Sequence, residues 1–311
     1  MQQKIYTIIL HWKPVVAAIE LSKKIILPGF DRLPLYDVVT FFIRGIQKGS
    51  LTTRASSLAF NFFLAIFPGI IFLFSLIPYI PIDNFQDQLL SLMEDMLPYN
   101  AFQAMKDTIE DILMHQRGGL LSFGFILTFY FATNGVNAMI NAFNSSYYSV
   151  ETRSPLMQRL VSFVLVFILT FLVLFAISLI VFSGLALDYL VAKGILHDTF
   201  TIYLLLIGKW LIIVGLFFFT FSFLYYYGPS RKSKFRFISP GSTLATILSI
   251  ITSLGFAYYV NNFGQYNKLY GSIGTIVVVL LWLYFNSIIL LVGFELNASI
   301  RNAKKESEPK A

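Results

Sequence analysis

Long apolar runs separated by shorter polar gaps dominate the pattern of this chain. Six runs are long enough for a helix of about 20 residues, the length that crosses the ~30 Å hydrocarbon core of a bilayer. They are Leu58–Ile80, Leu120–Phe143, Leu160–Leu187, Ile202–Tyr227, Ser242–Val260 and Ile273–Leu296. The pattern therefore predicts an all-α fold, a polytopic membrane protein with six transmembrane helices.

Lys and Arg are distributed unevenly between the gaps. Counted from the N-terminus, the first, third, fifth and seventh gaps contain 18 of the 23 Lys and Arg residues, whereas the other three contain 4. Because cytoplasmic loops collect positive charge, this partition predicts that both termini are cytoplasmic. The same topology accounts for the net charge of +7, so that charge does not indicate a nucleic-acid partner.

The composition limits the chemistry that the chain can support. It contains no cysteine, which excludes disulfides, thiolate nucleophiles and Cys-based zinc or iron–sulfur sites. The predicted topology places His11 inside and the other two histidines, His115 and His197, outside, so the three cannot share a metal ion. We therefore predict neither a metal site nor a cofactor.

Amphipathic segments occupy the longest gaps. Residues 1–53 form a predicted cytoplasmic and interfacial region, with basic helices at Val15–Leu27 and Tyr36–Lys48 that would lie among the lipid head groups. The gap Pro81–Gly119 contains seven acidic residues and is predicted to be an amphipathic helical hairpin on the outer face. The six-helix membrane domain then spans residues 54–300 and includes this hairpin, and residues 301–311 form a predicted disordered tail.

A stripe of asparagines is the most informative polar feature inside the membrane. On the second predicted helix Asn134, Asn137, Asn141 and Asn144 are spaced by three and four residues and therefore share one face. With Asn61 and Asn286 they are our candidates for a substrate path. Two interpretations remain open: a vestibule that opens to the cytoplasm, or hydrogen bonds between helices that contribute roughly 0.6–2 kcal/mol each.

Further polar residues are predicted to gather at the cytoplasmic ends of the helices. They are Arg54, Glu151, Arg153, Arg159, Glu295 and Asn297. Glu295 lies within one turn of the end of its helix, where it could form an ion pair with an arginine or act as a proton-coupling carboxylate. The third and fourth runs carry few polar residues, which predicts walls that face lipid.

The segment Tyr258–Gly274 is unusually rich in Tyr, Asn and Gly. Tyr is expected at any membrane boundary, but the Gly and Asn content also suits a tight re-entrant loop. The candidate residues for an outer gate are Asn262, Gly264, Tyr266, Asn267, Tyr270 and Gly271.

Several of these motifs resemble the YihY/BrkB family of bacterial inner-membrane proteins, also labelled ribonuclease BN-like. The resemblance runs from about Tyr36 to Ile300. It is carried by Arg54-Ala55, Pro68, Asn144, Tyr147, Val150–Arg153, Arg159, Pro240-Gly241, Asn262–Gly264, Tyr266-Asn267, Tyr270–Ser272, Leu281–Tyr284, Gly293 and Glu295–Asn297. It implies six membrane helices in the inner membrane and a role in envelope integrity and in the movement of lipids. It supplies no established catalytic residues.

The ribonuclease label does not fit the residues. Zinc-dependent RNA-processing hydrolases hold their metals in dense His and Asp clusters, and the three histidines here cannot form one. A GxxxxGK[ST] phosphate loop is also missing from the sequence, so the chain does not itself hydrolyse ATP through such a loop. We therefore predict a protein that is not an enzyme and binds no nucleic acid.

Two functional classes remain. The first is a transporter or flippase, not driven by its own ATP hydrolysis, whose partner is a membrane lipid or another amphiphile. The second is a structural or accessory scaffold that binds envelope proteins through the acidic outer hairpin.

Overall fold

The computed structural model describes residues 13–79, 86–87, 90, 110–111, 115–146, 152–193, 199–230, 236–262 and 272–307. These residues are helical apart from short turns. The helices are α1 Lys13–Lys24, α2 Leu35–Lys48, α3 Leu51–Leu76, α4 Gly118–Asn144, α5 Pro155–Ala192, α6 Thr199–Tyr227, α7 Pro240–Asn262 and α8 Ser272–Ser307, and a 3₁₀ turn at Ile77–Tyr79 extends α3.

In the part of the chain that the structure describes, the six helices α3 to α8 are long and apolar enough to cross a membrane. Each contains one of the predicted apolar runs, so the predicted fold class is confirmed. Local sequence explains several helix ends. Pro155 and Pro240 occupy the first position of α5 and α7, where the missing N–H costs no helical hydrogen bond. Gly49 and Gly228 directly follow α2 and α6, since glycine readily ends a helix.

The six long helices form a closed ring in chain order. Each packs against the next, and α8 returns to pack against α3. One end of this ring, here called the basic end, contains the starts of α3, α5 and α7 and the ends of α4, α6 and α8. The main hydrophobic core lies toward this end, where Phe143 of α4 stacks on Phe294 of α8 with ring centroids 4.4 Å apart.

Helices α5 and α6 face outward along most of their length, as predicted. Phe171 of α5 and Leu211 of α6 are 68% and 67% exposed. At the basic end, however, both helices enter the core, where Ser162, Leu165 and Tyr225 are buried. The prediction of lipid-facing walls therefore does not hold at this end. Sequence could not predict this burial, because a continuous apolar run has no polar periodicity to show which helical turns pack against other helices.

Helix α8 continues well beyond the last apolar run. We predicted a disordered tail from Arg301, but residues 301–307 are helical. The cause is a second buried cluster, in which Ile300 and Ala303 of α8 pack with Val38 of α2 and with Phe30 before it. Helix α2 therefore holds the end of α8 in place. Val39 and Ile43, on another face of α2, are exposed.

Several predicted features lie outside the described residues. Only residues 86–87, 90, 110–111 and 115–119 of the proposed outer hairpin are described. Glu151 and the gate candidates Gly264, Tyr266, Asn267, Tyr270 and Gly271 are likewise outside, and Asn262 is the last residue of α7. The hairpin, the gate and the division into domains stay predictions.

Candidate functional site

A polar cavity opens between α3 and α4 at the basic end of the ring. Its volume is about 420 Å³. The lining residues that the structure describes are Thr53, Arg54, Ser57, Asn61, Asn134, Asn137, Ala138, Asn141, Ala142 and Ser145. Eight of the ten are polar, which is unusual for the interior of a membrane domain, where each polar group needs a partner or water.

The lining of the cavity extends along α4. Ser145 and Asn134 are eleven positions apart in sequence, which corresponds to about 16 Å along a helix, or half of a ~30 Å hydrocarbon core. Thr53, Ser57, Asn141 and Ser145 are exposed, so the cavity communicates with the surface.

Close packing joins α3 to α4 beside the cavity and toward the far end of the ring. A Cβ atom on Gly135 would lie 2.9 Å from the Phe62 ring, and one on Gly124 would lie 3.3 Å from the backbone of Phe72. Larger residues at these two positions would force the helices apart. The described lining of the cavity therefore ends at about the level of Asn134.

The asparagine stripe also binds the neighbouring helix. Gln158 of α5 donates its amide to the Oδ1 atoms of Asn137 and Asn141, at 2.8 and 2.6 Å. Arg159 donates to Oδ1 of Asn134 at 2.6 Å. Three asparagines thus line the cavity and join α4 to α5 at once, so the two interpretations of the stripe are not exclusive.

The other three path candidates have different surroundings. Asn61 lines the cavity and donates within its own helix, to the Ser57 carbonyl at 2.8 Å. Asn144 is buried away from the cavity and accepts a hydrogen bond from the backbone N–H of Ser230, at 3.0 Å. Asn286 donates to the carbonyl of Trp282 on its own helix and is not among the described lining residues. The structure thus brings four of the six candidates together.

A buried ion pair stands beside the cavity. Nη2 of Arg54 lies 3.9 Å from Oε2 of Glu295, whose side chain is 0% exposed, and Nη1 of Arg54 donates to the Ala142 carbonyl at 2.7 Å. Ser146 donates to the same carboxylate oxygen at 2.7 Å. The ion pair expected at Glu295 is therefore present, and Arg54 connects this carboxylate to the cavity wall.

The remaining members of the predicted cytoplasmic cluster are distributed over three interfaces. Arg153 donates to carbonyls at the end of α6, including Gly228 at 2.9 Å. Arg159 lies at Asn134, with its guanidinium 5.7 Å from the Tyr130 ring. Asn297 accepts from the Gly241 N–H at the start of α7, at 2.9 Å. Glu151 is outside the described residues. These side chains fasten helix ends, whereas Arg54 alone of the predicted cluster is a described lining residue of the cavity.

Sequence reasoning missed several residues of this site. Gln158 supports the stripe from α5, Ser162 contacts Asn137 at 3.5 Å, and Ser146 binds Glu295. A signal was available for the first two, because positions 158 and 162 lie one turn apart on a helix and share a face. Ser146 lies beyond the end of α4, and no spacing rule links it to α8.

The chemistry of the cavity suits polar recognition. Amides and hydroxyls supply both donors and acceptors, and Arg54 supplies a positive charge. Within the described chain, no group of three His, Asp or Glu residues has the arrangement of a metal site. A polar or anionic head group is the kind of ligand that such a lining would bind.

Comparison with known proteins identifies the family. The family described as virulence factor BrkB matches residues 42–311. The ribonuclease-like protein YfkH of Bacillus subtilis (strain 168) is 34% identical over 257 residues, which are 81% of this chain and 91% of that protein. A UPF0761 membrane protein of Aliivibrio salmonicida is 26% identical over 266 residues, or 84% of this chain and 82% of the relative.

A shorter match links the chain to a UPF0761 membrane protein of Pseudoalteromonas translucida, with 35% identity over 29% of this chain and 30% of the relative. No solved structure matches significantly. The family match covers most of the chain and agrees with the resemblance drawn from its motifs. The chain therefore belongs to the virulence factor BrkB family of membrane proteins.

Proposed function

We propose that this protein moves a lipid or another amphiphile across the bacterial inner membrane, along the cavity between α3 and α4. The observation that carries the proposal is a polar cavity at one end of a membrane-sized bundle, whose described lining extends about 16 Å along α4. The substrate's head group would occupy this cavity. The apolar part of the substrate would remain beside exposed residues of α3 such as Phe60, which is 57% exposed.

Arg54 gives this path a preference for anionic head groups. Arg54 is a lining residue of the cavity whose side chain is 9% exposed, and its counter-charge, Glu295, is fully buried. A head group in the cavity would therefore meet amides, hydroxyls and one cation. Charged groups inside membrane domains are expensive to bury and commonly mark substrate paths.

We further propose that the basic end faces the cytoplasm and that the protein acts in envelope maintenance without hydrolysing ATP itself. The partition of Lys and Arg supports this orientation. We also propose that the protein is not an enzyme. The described cavity side chains are amides, hydroxyls, methyl groups and a guanidinium, and none of these is a general base at neutral pH.

A test of this path must separate transport from stability. Replacing the stripe residues Asn134, Asn137 and Asn141 by leucine would plug the cavity but would also break the bonds to α5. Asn61→Leu avoids this problem because, among the described residues, the Asn61 side chain bonds within its own helix. Asn286→Leu is the matched control, since Asn286 makes the same bond to a carbonyl four residues earlier but is not a described lining residue.

The experiment reconstitutes the purified protein in vesicles that contain a fluorescent phospholipid. A membrane-impermeant reductant bleaches only outer-leaflet lipid unless the protein exchanges lipid between leaflets. We expect exchange with the wild type and with Asn286→Leu, and its loss with Asn61→Leu at an unchanged melting temperature. Equal activity of both variants would contradict the path, and an inactive wild type would favour the scaffold.

A further inference from the structure

A second cavity lies at the basic end and shares none of its described lining residues with the first. Its volume is about 300 Å³. It is enclosed by the turn between α1 and α2, the end of α6, the start of α7 and the extension of α8. The proposed transport path makes no use of it.

The charge in this cavity is strongly positive. Its described lining includes three cations, Arg236, Arg301 and Lys304, and one carboxylate, Asp31. The cations come from two separate parts of the chain, the segment before α7 and the last turns of α8. Lys304 and Arg236 are 49% and 41% exposed at the rim, so a ligand can reach them from water.

Asp31 already occupies the position of an anion among these cations. Its carboxylate lies 2.5 Å from Nη2 of Arg236 and 3.9 Å from Nζ of Lys304. The turn that presents it is unusual, because Gly29, Asp31 and Arg32 all have positive φ angles, of 86°, 53° and 65°. Such conformations disfavour most side chains, so the backbone of this turn is unusual at Asp31 itself.

The rest of the cavity complements the charged rim. Ser222, Ser239 and Asn297 contribute hydroxyl and amide groups to the lining. Helix α7 starts here at Pro240, so the positive end of its dipole adds to the positive potential. Arginine forks bind phosphate oxygens in pairs, and a volume of about 300 Å³ is at the small end of the range for ligand pockets.

We propose that this cavity binds a phosphate group, with Asp31 as an internal counter-ion that competes with the ligand. A phospholipid head group at the membrane surface and a soluble phosphate compound would present the same chemistry. The proposal does not depend on the transport path, because a protein that moves no lipid could still bind phosphate here.

Two substitutions should act in opposite directions. Lys304→Gln removes a cation and should weaken binding about tenfold, the effect of losing one charge-assisted hydrogen bond. Asp31→Asn removes the competing carboxylate and should strengthen binding by a similar factor. Asparagine tolerates positive φ well, so this change leaves the turn intact. Lys305→Gln is the control, because it removes the same charge from the adjacent residue, which is not a described lining residue.

The full-length protein in neutral detergent is titrated with inorganic phosphate by calorimetry. In parallel, it is placed in nanodiscs of phosphatidylcholine with or without phosphatidylglycerol, and the retained lipid is counted by native mass spectrometry. Binding in the lipid arm alone identifies a head-group site, and binding of inorganic phosphate alone identifies a soluble ligand. In either arm the proposal requires opposite effects of Lys304→Gln and Asp31→Asn and less than a twofold effect of Lys305→Gln.

Absence of binding in both arms would overturn the proposal. Equal weakening by Lys304→Gln and Lys305→Gln would also overturn it, because the effect would then be one of general surface charge. If Lys304→Gln does not fold, the Asp31→Asn variant tests the proposal alone. It must bind phosphate more tightly than the wild type, since damage to folding cannot strengthen binding.

Discussion

Arg54 and Glu295 are an expensive arrangement for the interior of a membrane domain. Their closest atoms are 3.9 Å apart, beyond hydrogen-bond distance. Nε and Nη2 of Arg54 and Oε1 of Glu295 are buried and have no hydrogen-bond partner among the described residues. Buried polar groups without partners are rare in native proteins, and they often mark functional sites. The pair adjoins the cavity, so its unfavourable burial is consistent with a functional role of the cavity.

Single and double substitutions of this pair should affect stability very differently. Arg54→Met or Glu295→Leu alone leaves one buried charge without its counter-charge, which costs about 3–5 kcal/mol. The double variant leaves no charge and should recover most of that loss. Thermal unfolding in detergent measures both effects. Additive losses in the double variant would mean that the two side chains do not interact.

Sequence alone could place Glu295 near arginines but could not select its partner. Arg54, Arg153 and Arg301 were all predicted at the same end of the bundle. The selection depends on Gly49, because a Cβ atom there would lie 2.7 Å from Nη2 of Arg54. The space for this guanidinium exists because the residue in the turn before α3 is a glycine. The pattern of charges along the sequence does not show that this space exists.

At the scale of helices, one close crossing holds α7 against α8. Gly241 and Gly293 face each other, and a Cβ atom on either would overlap the backbone of the other. Tyr225 of α6 also reaches this crossing and donates to the Leu290 carbonyl at 2.9 Å. Small residues let membrane helices approach closely, where backbone contacts and hydrogen bonds replace the missing hydrophobic drive.

Alanine substitution should distinguish this crossing from other glycines. Gly293→Ala should destabilise the protein by roughly 1–3 kcal/mol, the usual cost of overpacking. Gly255→Ala in α7 should be neutral or slightly stabilising, because nothing lies within 4 Å of its added Cβ and alanine favours helix. The measurement is the melting temperature in detergent. Equal effects of the two changes would contradict the close crossing.

Helix α2 offers a second test at this scale. Val38 is fully buried against α8, whereas the neighbouring Val39 is 40% exposed. Val38→Asp should therefore release α2 and the last turns of α8, and hydrogen exchange of the α2 amides should accelerate. Val39→Asp should leave exchange in the purified protein unchanged. If both variants exchange alike, α2 does not dock through the Val38 face.

Element boundaries were predictable where apolar periodicity defined them, and not where tertiary contacts did. The start of α2 was predicted to within one residue. The continuation of α8 past Arg301 was missed, because its charged sequence suggests a solvated tail while only Ile300 and Ala303 face the core. The burial of α5 near Gln158 was missed because only two polar residues, Gln158 and Arg159, precede a long apolar run.

For the whole molecule, the sequence predicted six spans, but not their closure into a ring. The order of packing around the ring follows the order of the chain, as short connections favour, yet the return of α8 to α3 depends on contacts between distant residues. The same closure brings Glu295 to Arg54. Of the candidate path residues, Asn134, Asn137 and Asn141 of α4 and Asn61 of α3 line the cavity, whereas Asn144 and Asn286 are not among its described lining residues.

The orientation of the molecule can be tested in the cysteine-free chain. Gln116→Cys and Lys305→Cys place single thiols before α4 and near the end of α8, at opposite ends of the ring. Both residues are exposed. In intact cells a membrane-impermeant thiol reagent should label Gln116→Cys but not Lys305→Cys, because cytoplasmic loops collect Lys and Arg. The reverse labelling would invert the proposed topology.

The most direct test of the transport path uses one cysteine variant before and after modification. Asn61→Cys, with Asn286→Cys as control, is purified and reacted with a bulky polar thiol reagent, and complete reaction is verified by mass. Lipid exchange is then measured in reconstituted vesicles. The path predicts that modification abolishes exchange by Asn61→Cys and leaves Asn286→Cys and the wild type unaffected. Undiminished exchange by the modified Asn61→Cys protein would contradict the path.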